Sequence, residues 1–256
     1  MTQHTSSLTL ATAPGDCCVA GFKHKGTPGG RTVEIAGVKT YVVEPKHPIS
    51  GPKKVIFWFA DVYGPLYLNN QLVQDYFGTQ GFTVLGPDYF FGDPVQNHDD
   101  EEGFDRQAWI AKSRRQADAC VPGWLEATRE KYGTAEIKYA AVGYCFGAPY
   151  TLDLAAGDTI VAAAFAHPSF LEASHFEKLN KPLLLSCAED DLVFTLESRR
   201  NAEDILRKNK AQYHFQVFSG VSHGFATKGD PDDPNVTWAH EDSARGIASW
   251  FKRFNA

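Results

Sequence analysis

Short apolar runs separated by turn signals dominate the chain from residue 31 onward. Residues 31–35 and 38–44 read as two strands joined by the tight Ala36-Gly37 turn, an antiparallel hairpin. After a Pro-rich break comes 54–60, a continuous apolar run suited to a central strand covered on both faces. From there strand and helix patterns alternate. Residues 82–85 predict a strand ending at Gly86-Pro87-Asp88, and 103–132 a largely helical stretch broken at Pro122. Residues 136–142 read as a strand and 148–156 as a helix. Further strands are expected at 160–166, 182–188 and 213–218, with helical stretches at 170–179 and 196–208. The chain closes on an amphipathic helix over 236–254, whose apolar positions are Ile247, Trp250, Phe251 and Phe254.

A hairpin followed by repeated strand–helix units implies an α/β protein with a mostly parallel, doubly wound sheet. No repeat or linker divides it, so the 256 residues are expected to form one domain, with residues 1–15 a loose polar tail. No run of about 18 apolar residues occurs, so no membrane span is predicted. A net charge of −6 argues against nucleic acid or an anionic membrane as partner, since both demand basic patches. The five cysteines are odd in number and irregularly spaced, unlike a secreted disulfide framework. With neither C-x-x-C nor H-E-x-x-H, no metal site is expected, and the acidic cluster at 98–102 reads as a solvated loop. These features describe a reduced, cytoplasmic enzyme acting on a small molecule.

The chemistry centres on Gly143-Tyr144-Cys145-Phe146-Gly147. A G-x-C-x-G turn between strand and helix is the pattern of a nucleophile elbow, as in the α/β-hydrolase fold, with cysteine in the usual place of serine. A helix N-terminus behind the thiol favours thiolate. In doubly wound sheets functional groups gather at the carboxyl ends of strands. His223 meets that condition in a Gly-flanked loop after the last strand, and imidazole exchanges protons with a thiol near neutral pH. The acid falls in Glu189-Asp190-Asp191, where Asp190 and Asp191 both remain open. His167 also ends a strand and reads as a hydrogen-bonded structural histidine. The loop after residue 60 places Asp61 as either a thiol partner or an Asx turn. The backbone N–H groups of Val62 and Phe146 are the natural oxyanion-hole donors.

Taken together these residues resemble the dienelactone hydrolase family, particularly its fungal members. The likeness runs from Cys17-Cys18 and Gly26-Thr27-Pro28 through Pro87-Asp88 and the elbow to His223-Gly224-Phe225. It implies a Cys145, Asp190 and His223 triad on an α/β-hydrolase core without a large lid. It further implies cleavage of lactones or esters through an acyl-thiolate intermediate, with no cofactor. Two departures matter. The family's bacterial members use a glutamate beside the cysteine, where this chain has the shorter Asp61. They also hold the substrate carboxylate with two arginines, whose positions fall here at about Gly92 and Thr227, with Lys228 the nearest cation. Tyr63, Phe90, Phe91, Tyr144 and Phe225 cluster around the motifs and suggest an aromatic pocket, with Lys228 at its edge, for a neutral, polyketide-like lactone, ester or thioester. The same thiol also suits acyl transfer or ring rearrangement without net hydrolysis. A non-catalytic binding protein on this fold would have no need of the three residues together.

Overall fold

In a computed structural model, the residues described are 7–46, 51–133 and 136–255. Along them the strands are β1 (Thr9–Ala11), β2 (Arg31–Ile35), β3 (Val38–Val43), β4 (Lys53–Phe59), β5 (Thr83–Pro87), β6 (Ile137–Tyr144), β7 (Ala162–Ala166), β8 (Leu171–Glu172), β9 (Leu183–Asp190) and β10 (Tyr213–Ser222). The helices are α1 (Leu68–Thr79), α2 (Arg106–Tyr132), α3 (Ala148–Ala155), α4 (Ala173–Glu177), α5 (Leu196–Lys208), α6 (Phe225–Lys228) and α7 (Pro234–Phe254).

Eight strands form one sheet in the order β10-β9-β7-β6-β4-β5-β3-β2. The six from β5 to β10 along that order run parallel, while β3 is antiparallel to β5 and β2 to β3. This is the α/β architecture with a mostly parallel sheet that the apolar runs predict. Val55 to Phe59 of β4 are wholly buried, because helices cover a central parallel strand on both sides. One helical layer comprises α1, α6 and α7, and another comprises α3, α4 and α5. Chain order reverses at β4, with β5 on one side and β6 on the other. The crevice beyond the carboxyl ends of β4 and β6 is therefore the place where such sheets hold a ligand.

Local chemistry sets the element ends. The β2–β3 turn has φ of 49° at Ala36 and 76° at Gly37, the left-handed pair a two-residue hairpin needs. The closing helix α7 starts at Pro234 behind Asp233, whose carboxylate accepts from the Asn235 and Val236 amides. Its Ile247, Trp250 and Phe251 are buried as the periodicity requires. No helix among the described residues is long and apolar enough to cross a membrane.

Four local expectations are corrected. Helix α2 runs unbroken through Pro122, which sits with Asp118 on the exposed side, where water can satisfy the freed carbonyl. Strands β9 and β10 extend beyond 188 and 218, to Asp190 and Ser222. Residues 171–172 form β8 rather than helix. Most importantly, residues 7–15 are not a loose tail: β1 pairs antiparallel with β8, and Leu10 and Ala11 are buried. Residues 1–6 of the expected tail lie outside the described residues.

Candidate active site

Cys145, at φ 47°, follows directly on β6 and opens a short 3-10 turn, Cys145–Gly147, that leads into α3. Both flanking glycines are sterically required. A Cβ on Gly143 would lie 2.5 Å from the Gly147 carbonyl oxygen, and one on Gly147 would collide with the Phe59 backbone of β4. The turn thus lifts the sulfur above the sheet, where the amino end of α3 favours negative charge.

His223 and its acid come from the next strands along the sheet. His223 Nδ1 donates to Asp191, with Oδ1 at 3.0 Å and Oδ2 at 2.9 Å, and both side chains are buried. This corrects the assignment of Asp190. Because β9 continues through Asp190, that residue stays in sheet register opposite Ser222 and is exposed. Asp191 is the first residue to leave the strand and turns inward. Its Oδ1 also accepts the Val193 amide at 2.8 Å and the Phe194 amide at 3.0 Å, which fixes the carboxylate. Burial opposes the imidazolium, yet the Cys145 sulfur and the Asp191 bond outweigh it and raise the His223 pKa to about 10. Burial likewise opposes the Cys145 thiolate, but Cys18, His223 and His167 together hold its pKa well below the ordinary thiol range.

The sulfur has neighbours absent from the sequence reading. The Cys18 sulfur lies 3.5 Å and the Ser169 hydroxyl 3.4 Å from it. Hydrogen bonds with Cys145 and Cys17, together with burial, push the Cys18 thiol up, so it stays protonated. Ser169 follows β7, and its amide donates to the Cys145 carbonyl at 3.0 Å. His167, expected as a hydrogen-bonded structural residue, is wholly buried at φ 34° and faces the Cys145 sulfur. Its ring stands edge-on to His223 at 5.0 Å, and burial keeps it neutral. The rule that site residues end parallel strands points to this loop, but not to Ser169 within it.

Residues 16–24 form a strap across the site. Lys228 Nζ donates to the Cys18 carbonyl, and the Tyr63 hydroxyl to the Val19 carbonyl at 2.8 Å. The Phe22 amide donates to Lys228 O at 3.0 Å, and the His24 amide to Asn69 Oδ1 at 2.9 Å. Arg106 pairs with Asp16 at the outer end. Beneath the strap Cys145 is 1% exposed, so the nucleophile is covered.

The remaining expected site residues separate into those near the sulfur and those in the core. Asp61 is not the thiol partner here. Its Oδ1 accepts from the Tyr63 amide (3.0 Å) and Asn70 Nδ2 (2.8 Å), and its Oδ2 from Thr227 Oγ1 (2.8 Å), so it is the Asx turn. Val62 and Phe146 are buried three residues beyond Phe59 and Gly143, which face each other across β4 and β6. Tyr144 packs between Trp58 and His167, and Phe90 stacks on Trp109 at 5.4 Å, so both are core rather than pocket. Phe91 is exposed at φ 54°. Lys228 is not a mobile edge cation: it is buried, with Nζ over the Tyr63 ring at 4.6 Å. Phe225 and Lys228 do border a cavity of about 300 Å³, which His223, Gly224 and strap residues Cys17, Gly21 and Phe22 also line.

Comparison with known proteins places this geometry. The model of the dienelactone hydrolase family matches residues 38–255. Dienlactone hydrolase 1 of Gibberella moniliformis is 35% identical over 244 residues, covering 93% of each chain. Hydrolase tropI of Talaromyces stipitatus is 29% identical over 255 residues, covering 96% of this chain and 98% of its own. Among solved structures, a dienelactone hydrolase from Klebsiella pneumoniae superposes with a TM-score of 0.71 at 17% identity, covering 88% of this chain and 98% of that one.

Proposed function

The chain belongs to the dienelactone hydrolase family, hydrolases of lactone and ester bonds, and from that premise we propose a cysteine-dependent mechanism on a neutral substrate. Cys145 is the nucleophile, His223 the proton carrier and Asp191 the residue that orients and charges the imidazole. The observation that carries this reading is the buried His223–Asp191 pair set behind a thiol held at the elbow.

The Cys145 thiolate attacks the acyl carbon, and the oxyanion is received by the Val62 and Phe146 amides. Collapse expels the alkoxide, which takes the proton from His223 Nε2. His223, now neutral, removes a proton from water as that water attacks the thioester, and the released thiolate restores the ion pair. With Nδ1 committed to Asp191, only Nε2 is available for these transfers.

The surroundings support a neutral substrate. No cation stands at Gly92 or Thr227, and the Thr227 hydroxyl is engaged by Asp61. Lys228 is occupied by the Cys18 carbonyl and the Tyr63 ring. A carboxylated lactone would therefore lack the charge-assisted bonds worth about 1.5–3 kcal/mol each. Aromatic lactones, esters or thioesters of polyketide type fit the apolar rings of Phe22 and Phe225 beside the cavity.

Intact-protein mass spectrometry with an aryl ester tests the mechanism. An acyl adduct on Cys145 that accumulates in His223→Gln, and is absent in Cys145→Ala, is expected. Acylation that persists in folded Cys145→Ala would overturn it.

A further inference from the structure

The strap brings a second thiol onto the nucleophile, and the two sulfurs share a third neighbour. The Sγ atoms of Cys18 and Cys145 and a ring nitrogen of His223 all lie within 4.8 Å of one another, and all three residues are buried. Two thiolates and an imidazole are the donor set that zinc and related soft cations favour. In tetrahedral zinc with Zn–S bonds of about 2.3 Å, two sulfurs stand about 3.8 Å apart. Here they are 3.5 Å apart. A disulfide, by contrast, would need the sulfurs to close to about 2.05 Å.

The histidine supplies an independent observation. Its Nδ1 is committed to Asp191, while Nε2 is buried and faces the Cys145 sulfur. A carboxylate behind an imidazole is the usual support of a metal-ligating histidine, fixing the tautomer so that the far nitrogen carries the lone pair. Cys18 is equally constrained. It closes the turn Asp16–Cys18, and Lys228 holds its carbonyl. The adjoining cavity of about 300 Å³, bordered by Cys17 and His223, offers a route in. The Ser169 hydroxyl also lies 3.4 Å from the Cys145 sulfur.

We propose that Cys18, Cys145 and His223 form a binding site for one thiophilic divalent cation, zinc in the first instance, which ties the strap to the nucleophile and switches the enzyme off. Binding displaces two protons to solvent, one from the Cys18 thiol and one from His223 Nε2, and the lone pairs that attack the acyl carbon and carry its proton are then bonded to the metal. Release of the ion frees both groups and lets the strap lift. The inhibitory consequence rests on the cysteine-hydrolase reading; the binding itself does not.

The test uses the full-length protein, stripped of metal and kept under a phosphine reductant so that no disulfide forms. Zinc is titrated, with stoichiometry read by dialysis and elemental analysis, and cadmium by its thiolate charge-transfer absorption. One ion per chain is expected. Cys18→Ser and Cys145→Ser should each weaken binding by at least the ten- to hundredfold that loss of a supporting carboxylate costs. Asp191→Asn should weaken it ten- to hundredfold. Ester turnover in the wild type should fall in step with occupancy and return with a chelator. Binding without inhibition would fault the hydrolase reading while leaving the site intact. Absence of a bound ion, or affinity unchanged in Cys18→Ser, would overturn the site. So would inhibition seen only without reductant and accompanied by a two-hydrogen mass loss, which marks a disulfide.

Discussion

Asp191, rather than its neighbour Asp190, offers both carboxylate oxygens to His223 Nδ1, at 3.0 and 2.9 Å. One residue of difference separates a side chain in solvent from one at the centre of the site. Asp191→Asn should therefore lower kcat by about 10³–10⁴-fold, the scale seen when a triad acid loses its charge and the wrong tautomer is favoured. Asp190→Asn should stay within about twofold of wild type, as exposed substitutions do. Steady-state kinetics on one aryl ester decides between them, and a reversal of the two results would return the role to Asp190.

Replacing the nucleophile should be nearly as costly as removing the whole triad, because its members act as a unit. Cys145→Ala and Cys145→Ser are each expected to lose at least about 10³-fold in kcat. Serine fails because its alkoxide is far harder to form than a thiolate beside the same imidazolium. Circular dichroism on both variants establishes folding before the rates are compared.

Cys145 and His223 together set a pH dependence of stability. The folded pair holds one proton up to about pH 10, as thiolate and imidazolium. Unfolded, the two groups hold two protons below the ordinary histidine value of 6.5, one up to the ordinary thiol value of 9.0, and none above it. The contribution from His223, whose pKa is raised, is full below 6.5 and is lost as pH rises to about 10. That from Cys145, whose pKa is lowered, is full above 9.0 and is lost as pH falls. Their sum rises with pH up to 6.5, is level between 6.5 and 9.0, and falls toward 10. The difference in thermal midpoint between wild type and Cys145→Ala, scanned across pH, should trace that plateau. A difference independent of pH would rule out the ion pair.

Lys228 is a clamp on the strap rather than a substrate anchor. Lys228→Met should raise the rate of iodoacetamide capture at Cys145 by roughly tenfold or more, since it removes a charged hydrogen bond of about 1.5–3 kcal/mol. It should leave the preference for a methyl ester over the matched free acid unchanged. Peptide mapping reads the first quantity and kcat/KM the second. A free-acid preference in wild type that vanishes in Lys228→Met would restore the anchoring role.

The parallel strands, the elbow and His223 were legible because each is written locally, in apolar runs and in glycines at fixed spacing. Asp191 was obscured by three consecutive acids and by a strand that runs two residues past its last apolar position. Asp61 allowed two readings, and only its contacts with Asn70 and Thr227 separate them. Cys18, Ser169 and the buried Lys228 were not legible in these roles. Their partners lie 127, 24 and 210 residues away, and no local pattern encodes such pairings.

The pairing of β1 with β8 also has a consequence for biosynthesis. Thr9 meets Glu172, Cys18 meets Cys145, and the Cys18 carbonyl meets Lys228. These early residues therefore leave the ribosome well before their partners and find their places late, waiting until α6 has emerged. Until then a nascent chain can complete its elbow at Cys145 while the thiol stands uncovered. That uncovered cysteine is then open to oxidants and electrophiles that the finished protein excludes.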